Sequence, residues 1–263
     1  MNIVVCVKQI LDPESNPRDF QVDSNSRKAV QGAAALVVNP YDENAVEVAL
    51  QLKAKVGEAT ITAMTLGGAT ADKALRRVLG IGCDEGIWLR DPLFEDLDSI
   101  GIARVLAAAI RKLGSVDLVL CGLQAGDWDM GQVGSLLAEE LSLPCVRAVY
   151  NLEPSDGSLV VTRGMEKGME VLEGKTPFLA IVTNHISNLP RFPSAKRVVM
   201  ASRRQLAVWS AAELGIEGNI GRWVTIEGLG VSNYERQVEI MDGDNGEEKS
   251  IRLVQRMMEL KLI

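Results

Sequence analysis

The feature that most constrains this chain is a regular alternation, over roughly residues 1 to 145, of short β-branched runs with segments of helical periodicity. Such alternation builds a mostly parallel sheet with helices on both faces. Ile3 to Val7 reads as the first strand. Glu43 to Lys53 places Ala45, Val46, Ala49, Leu50 and Leu52 near the i, i+3, i+4, i+7 pattern of an amphipathic helix. Ala59 to Leu66 reads as a strand running into Gly67-Gly68, and Thr70 as the N-cap of a helix over Ala71 to Leu79. A short strand over Gly86 to Leu89, a buried crossover helix over Ser99 to Leu113 and an unalternating central strand over Asp117 to Cys121 follow. Gly122 to Gly131 is a polar turn, and Gln132 to Leu141 is a helix that must stop before Pro144. The expected fold class is α/β, a doubly wound, mostly parallel sheet.

The rhythm then changes. Ser158 to Arg163 and Met169 to Leu172 look like antiparallel ribbon partners, and Phe178 to Thr183 is a further buried strand. Pro190 and Pro193 break regular structure over Asn188 to Ala195. Beyond Leu206 the chain is glycine-rich and mixed, with a solvated turn expected over Asp242 to Glu248 and a short amphipathic helix over Ser250 to Leu262. That tail has too little apolar content for a core of its own, so it should lie on this domain or on a partner. The expected organisation is an α/β domain over 1–187, a proline-broken segment over 188–206 and a C-terminal arm over 207–263.

Composition removes several classes. No apolar run in the 263 residues approaches the roughly 18 needed to span a bilayer, so membrane insertion is not expected. The balance of 28 Lys and Arg against 35 Asp and Glu is the opposite of a nucleic-acid footprint. Cys6, Cys83, Cys121 and Cys145 form no C-x-x-C pair, and a single histidine cannot complete a zinc site, so neither a metal nor a disulfide framework is expected. Met1 leads straight into the first strand without a basic leader, which points to a cytoplasmic protein.

In an open parallel sheet, ligands bind outside the carboxyl ends of the strands. Four turns there carry chemistry: Val7-Lys8-Gln9, Asn39-Pro40-Tyr41-Asp42, Leu66-Gly67-Gly68-Ala69 and the long Gly122 to Gly134 loop. The last is the most informative. Backbone N–H groups at the following helix start can hold a phosphate, and Gly126, Gly131 and Gly134 allow close approach. Asp127 and Asp129 would repel a phosphate, so they are assigned to ribose hydroxyls or to capping the helix; an ordinary loop with one of them as N-cap is the alternative. Glycines at the Gly67-Gly68 turn can be there for steric reasons alone. No G-x-G-x-x-G and no P-loop lysine motif occurs, which disfavours an adenylate-forming or pyrophosphatase enzyme. No catalytic residue stands out: His185 reads as solvent-facing or locally bonded, Cys121 as a small buried residue, and Trp88, Trp209 and Trp223 as packing residues. Trp128, on the polar loop, is less easily set aside.

Val5-Cys6-Val7-Lys8-Gln9, Asn39-Pro40-Tyr41-Asp42-Glu43, the Gly122 to Gly134 loop and Leu189-Pro190-Arg191-Phe192-Pro193-Ser194 occur in one order over roughly residues 1 to 205. Together they resemble the β subunit of electron transfer flavoproteins. The resemblance implies a heterodimer in which an α subunit holds most of a redox-active FAD, the C-terminal extension wraps that subunit, and the β chain binds an adenine nucleotide, either AMP or a second FAD. Carried over by position, the pocket would use Cys6, Asn39, Pro40, Tyr41, Asp42, Leu66, Leu123, Gln124, Ala125, Gly126, Asp127, Asp129, Met130, Gly131, Gln132, Val133 and Gly134. Gly131-Gln132-Val133 resembles the electron-bifurcating members, in which NADH would reduce the β-bound FAD, although Met130 and Ser135 stand where those members often have Thr and Pro. Pro190, Arg191, Phe192, Pro193, Ser194 and Ala195 resemble the loop that docks an acyl-CoA dehydrogenase or similar flavin dehydrogenase, with Ala195 where relatives usually place a leucine; the smaller side chain forgoes roughly 1.5–3 kcal/mol of burial. The alternative from another class is a stress-protein-like adenine-nucleotide-binding regulatory module without flavin, against which the docking segment and the arm both argue.

Overall fold

A computed structural model describes residues 1–16, 20–218, 220–231 and 238–263, which form two compact units, 1–229 and 230–263. The arm expected over 207–263 includes residues 219 and 232–237, which lie outside the described residues.

In the first unit the chain runs through β1 (Asn2–Cys6), β2 (Gln9–Leu11), β3 (Gln21–Asp23), β4 (Lys28–Val30) and β5 (Leu36–Val38) into helix α1 (Pro40–Val56). There follow β6 (Thr60–Leu66), α2 (Asp72–Ile81), β7 (Glu85–Leu89), α3 (Ser99–Leu113), β8 (Leu118–Gly122) and α4 (Val133–Leu141). The last stretch holds β9 (Cys145–Ser155), β10 (Ser158–Met165), β11 (Gly168–Gly174), β12 (Phe178–Val182), α5 (Ala195–Arg203) and β13 (Ala207–Trp209). Nine strands make one sheet in the order β11-β10-β9-β12-β8-β1-β6-β7-β13. It is parallel from β9 to β13, and β10 and β11 add an antiparallel ribbon at the other edge. The doubly wound α/β expectation and the ribbon both hold.

Two-sided burial explains the unalternating strand sequences. Along β1, Ile3 and Val5 enter a core with Ala45, Val46, Ala49 and Leu52 of α1 and Leu75 and Val78 of α2. Val4 and Cys6 enter the opposite core with Val105, Leu106 and Ile110 of α3 and Leu137 of α4. From β1 the chain builds outward through β6 and β7, then returns to place β8 on the other side of β1. That reversal sets the carboxyl ends of β1 and β8 side by side, the position at which doubly wound sheets form a crevice for ligands.

Local chemistry accounts for the departures from expectation. Helix α1 begins at Pro40, ahead of Glu43, because proline at the first helical position surrenders an N–H that would be unpaired anyway. Thr70 is not the cap of α2. Its hydroxyl donates to Gln9 Oε1 at 2.7 Å, and Ala71 occupies the cap position without a side-chain bond. The eleven-residue β9 carries no strand period in the sequence, because Ala148 takes a left-handed φ of 57° and the register against β12 shifts there. Helix α5 starts directly after the proline-broken stretch, with the Ser194 hydroxyl accepting from the Arg197 amide. Trp88 is buried and donates from Nε1 to the Gly67 carbonyl, and Trp209 lies under the Lys112 ammonium at 4.7 Å. Trp223 does not pack as expected: its backbone amide and that of Val224 hang on the Asp98 carboxylate, and the residue is 68% exposed.

In the second unit a helix α6 (Gly246–Glu259) is capped by Asn245, whose side chain accepts from the Glu248 amide. This cap draws part of the expected Asp242 to Glu248 turn into the helix, which ends at Glu259, short of Leu262.

Leu120 lies wholly buried in β8, whereas Val171 on edge strand β11 is 65% exposed. Leu120→Ala should cost about 2–5 kcal/mol in chemical denaturation and Val171→Ala no more than about 0.5 kcal/mol. Comparable losses at both positions would contradict the assignment of β8 to the centre and β11 to the edge.

Candidate functional site

One carboxylate organises the crevice. Asp42, in the first turn of α1, accepts from the Lys8 amide just beyond β1 (Oδ2, 2.8 Å) and from the Gly122 amide at the end of β8 (Oδ1, 3.2 Å). It therefore ties together the two strand ends at the reversal. Gly122 has no alternative at this contact, since a Cβ there would stand 2.2 Å from Asp42 Oδ1. Burial pushes the Asp42 carboxyl up to about 7, against the opposing pull of the two amides, the Asn39 side chain and the Lys8 charge.

Asn39, 1% exposed, pins the loop that follows β8. Its Nδ2 donates to the Gln124 carbonyl at 2.8 Å and its Oδ1 accepts from the Gly126 amide at 3.1 Å. Further along, Gln124 Nε2 donates to Asp129 Oδ1 at 2.9 Å, while Asp129 and Gly131 take left-handed φ values of 50° and 59°. The Lys8 ammonium meets both Asp127 oxygens at 2.8 and 2.7 Å. Neither aspartate holds the cap position of α4: Gln132 does, and its side chain makes no cap bond. The Arg147 guanidinium lies beside this turn, donating to Ser135 Oγ at 2.6 Å and to the Gly131 carbonyl at 3.3 Å.

Cys6 ends β1, Leu66 ends β6 and Leu123 follows β8, so they stand with Asn39 to Asp42 and the 123–134 loop at the carboxyl edge of the sheet. Asn39 and Asp42 turn their side chains inward onto the protein, whereas Asp127, Trp128, Asp129 and Met130 are exposed. Cys121 is buried, and the neighbouring Cys6 thiol together with burial raises its pKa well above the usual thiol range, so it offers no thiolate. His185 is locally bonded, stacked on Tyr150 at 4.4 Å between ring centroids and accepting from the Ser187 amide. Pro190 to Ala195 lie away from the crevice, against the helices: Arg191 makes a two-pronged ion pair with the nearly buried Glu47 of α1 (2.8 and 2.7 Å), and Phe192 is 91% exposed. Two cations beside these residues, Lys8 and Arg147, are absent from the set carried over by resemblance, although the Val7-Lys8-Gln9 turn is among the four expected to carry chemistry. Lys8 carries a legible signal, a basic residue immediately after an apolar strand; Arg147 carries none without the β9 strand that brings it there. A separate hollow of about 490 Å³, around Met1, Asp117 and Asp156, opens at the amino ends of β1 and β8, the end that parallel sheets do not use.

Residues 29–213 match the family model described as "Electron transfer flavoprotein domain". A protein named "Electron transfer flavoprotein subunit beta" from Thermoanaerobacterium thermosaccharolyticum is 34% identical over 262 residues, covering 98% of each chain. The chain belongs to the electron transfer flavoprotein family. Two further relatives are also 34% identical. "Caffeyl-CoA reductase-Etf complex subunit CarD" from Acetobacterium woodii matches over 216 residues, 82% of this chain and 80% of its own. "Electron transfer flavoprotein subunit beta" from Clostridium acetobutylicum matches over 222 residues, 84% and 83%. The resemblance to the β subunit drawn from the ordered motifs is thus shown across nearly the whole length. Among the described residues no helix of this flavoprotein-family chain is long and apolar enough to cross a membrane.

Burial of Asp42 has a thermodynamic sign. A carboxyl that ionises near 4 when unfolded and at about 7 when folded holds its proton more tightly in the native state. Its contribution to stability is full below pH 4 and is lost as the pH climbs through 7, by an amount on the order of 4 kcal/mol. Asp42→Asn should remove this slope, so denaturation from pH 4 to 7.5 should show the variant gaining on the native protein. Parallel stability profiles would contradict the burial of an ionisable carboxyl at the strand ends.

Proposed function

We propose that this chain is the β subunit of a heterodimeric electron transfer flavoprotein, which carries electrons from a flavin dehydrogenase of the acyl-CoA type to a downstream acceptor. An adenine nucleotide occupies the β1/β8 crevice, and an α subunit holds the main FAD. The observation that carries this reading is the cluster of polar groups at the sheet's reversal point, in a chain aligned over 98% of its length with a named β subunit.

The crevice suits such a ligand. The uncapped start of α4 and the adjacent Arg147 give positive potential for phosphate. Asp129 retains acceptor capacity for ribose hydroxyls beyond its bond to Gln124. Cys6, Tyr41 and Leu66 complete the lining. The closing Gly131-Gln132-Val133 favours a second FAD over AMP, and with it bifurcation of electrons from NADH. When bound, the flavin supplies the redox chemistry, and this chain's residues bind and orient it. Phe192 serves as the apolar anchor of the docking segment, because Ala195 already starts α5 and Arg191 is committed to Glu47. In the C-terminal arm, α6 buries none of its residues and leaves Ile251, Val254 and Met258 exposed for the α subunit. A flavin-free regulatory module would need neither docking segment nor arm.

The chain should be purified with its co-expressed neighbour and the released nucleotides identified by mass. Two FAD per heterodimer are expected; one FAD with AMP would overturn the bifurcating assignment, and a colourless monomer would overturn the flavoprotein reading. Asp129→Ala should lower crevice occupancy by roughly 10-fold or more while the α-held flavin remains. Unchanged occupancy would reject the loop as the nucleotide site.

A further inference from the structure

Beside the Lys8–Asp127 ion pair, Asn39 independently pins the loop at Gln124 and Gly126. The ion pair joins the β1 side of the crevice to the β8 side. The Lys8 amide is fixed on Asp42, so its Cα cannot drift, yet the ammonium end is free to exchange partners: the side chains of the pair are 40% and 25% exposed. Ion pairs of this exposure add little to stability and are broken cheaply. Asp127 sits on the exposed 127–130 stretch, so its carboxylate can turn to solvent without disturbing the bonds of Asn39 or Gln124.

We propose that Lys8 is the phosphate-reading side chain of the crevice, held by Asp127 until a phosphorylated nucleotide displaces that carboxylate and takes its place on the ammonium. The proposal rests on the nucleotide reading of the crevice and adds to it the residue that distinguishes phosphorylated from unphosphorylated ligands. A phosphate brings more negative charge and more acceptor oxygens than a carboxylate, and a compact ammonium suits it as a point charge. The same exchange removes the repulsion that Asp127 would otherwise exert on the incoming phosphate. An unphosphorylated nucleoside offers Lys8 nothing and leaves the ion pair closed.

The test is calorimetric titration of the full-length chain, together with any co-purified subunit and freed of bound nucleotide, using AMP and adenosine as probes. Lys8→Gln should raise the Kd for AMP about 10-fold and leave that for adenosine within about twofold, consistent with loss of one charge-assisted contact. Asp127→Asn should tighten AMP by about threefold or more, by removing the competitor. Lys8→Arg should keep the preference for AMP over adenosine, and circular dichroism should show each variant folded. Equal weakening of both probes by Lys8→Gln, no weakening of either, or weaker AMP binding by Asp127→Asn would overturn the proposal and leave the nucleotide reading standing. A native chain that binds neither probe would overturn both.

Discussion

The Asp42 carboxylate, accepting one amide from each side of the sheet's reversal, is the contact on which the rest of this structure depends. A doubly wound sheet must leave two neighbouring strand ends without a covering crossover, and their last amides need partners. In this chain the first turn of α1 supplies them. That choice fixes where α1 starts, requires glycine at position 122, and sets the spacing of the crevice that Lys8, Asn39 and the 123–134 loop surround. Two amides do not fully offset the desolvation of a buried carboxylate, so the arrangement strains against its own ionisation. What remains is a polar cluster of fixed backbone and exchangeable charges at the carboxyl ends of β1 and β8.

Much of this was legible in the residues. Strands buried on both faces declare themselves as continuous apolar runs, so β1, β6, β8 and β12 could be placed from sequence, and with them the turns at their carboxyl ends. The Gly122 to Gly134 loop was legible for the same reason, as a long polar interruption between a central strand and a helix. What stayed hidden was set by tertiary contact. Thr70 has the chemistry of a cap but finds Gln9 instead, and β9 hides behind a left-handed Ala148. Asp127 and Asp129 carry the residue type of helix caps, yet Lys8 and Gln124 claim their carboxylates. No period or spacing encodes such choices between partners distant in sequence.

The division between positioning and binding follows from exposure. Asn39 and Asp42 are buried and bonded to backbone groups, so they position the loop and the strand ends. Lys8, Asp127, Asp129 and Arg147 face solvent and can exchange partners with a ligand. The docking segment shows the same division at a smaller scale, Arg191 anchored on Glu47 and Phe192 presented outward. In a protein whose proposed redox chemistry belongs to a bound flavin, that is a coherent economy of side chains: few are placed to react, and those at the site either hold backbone or hold charge.

The central claim, that the reversal point is the nucleotide site, is tested most directly by hydrogen–deuterium exchange with and without added nucleotide. The account predicts protection confined to the carboxyl edge, in peptides covering residues 6–9, 39–42, 64–67 and 122–134. Absence of protection there, or protection instead around Met1, Asp117 and Asp156 at the amino edge, would contradict it.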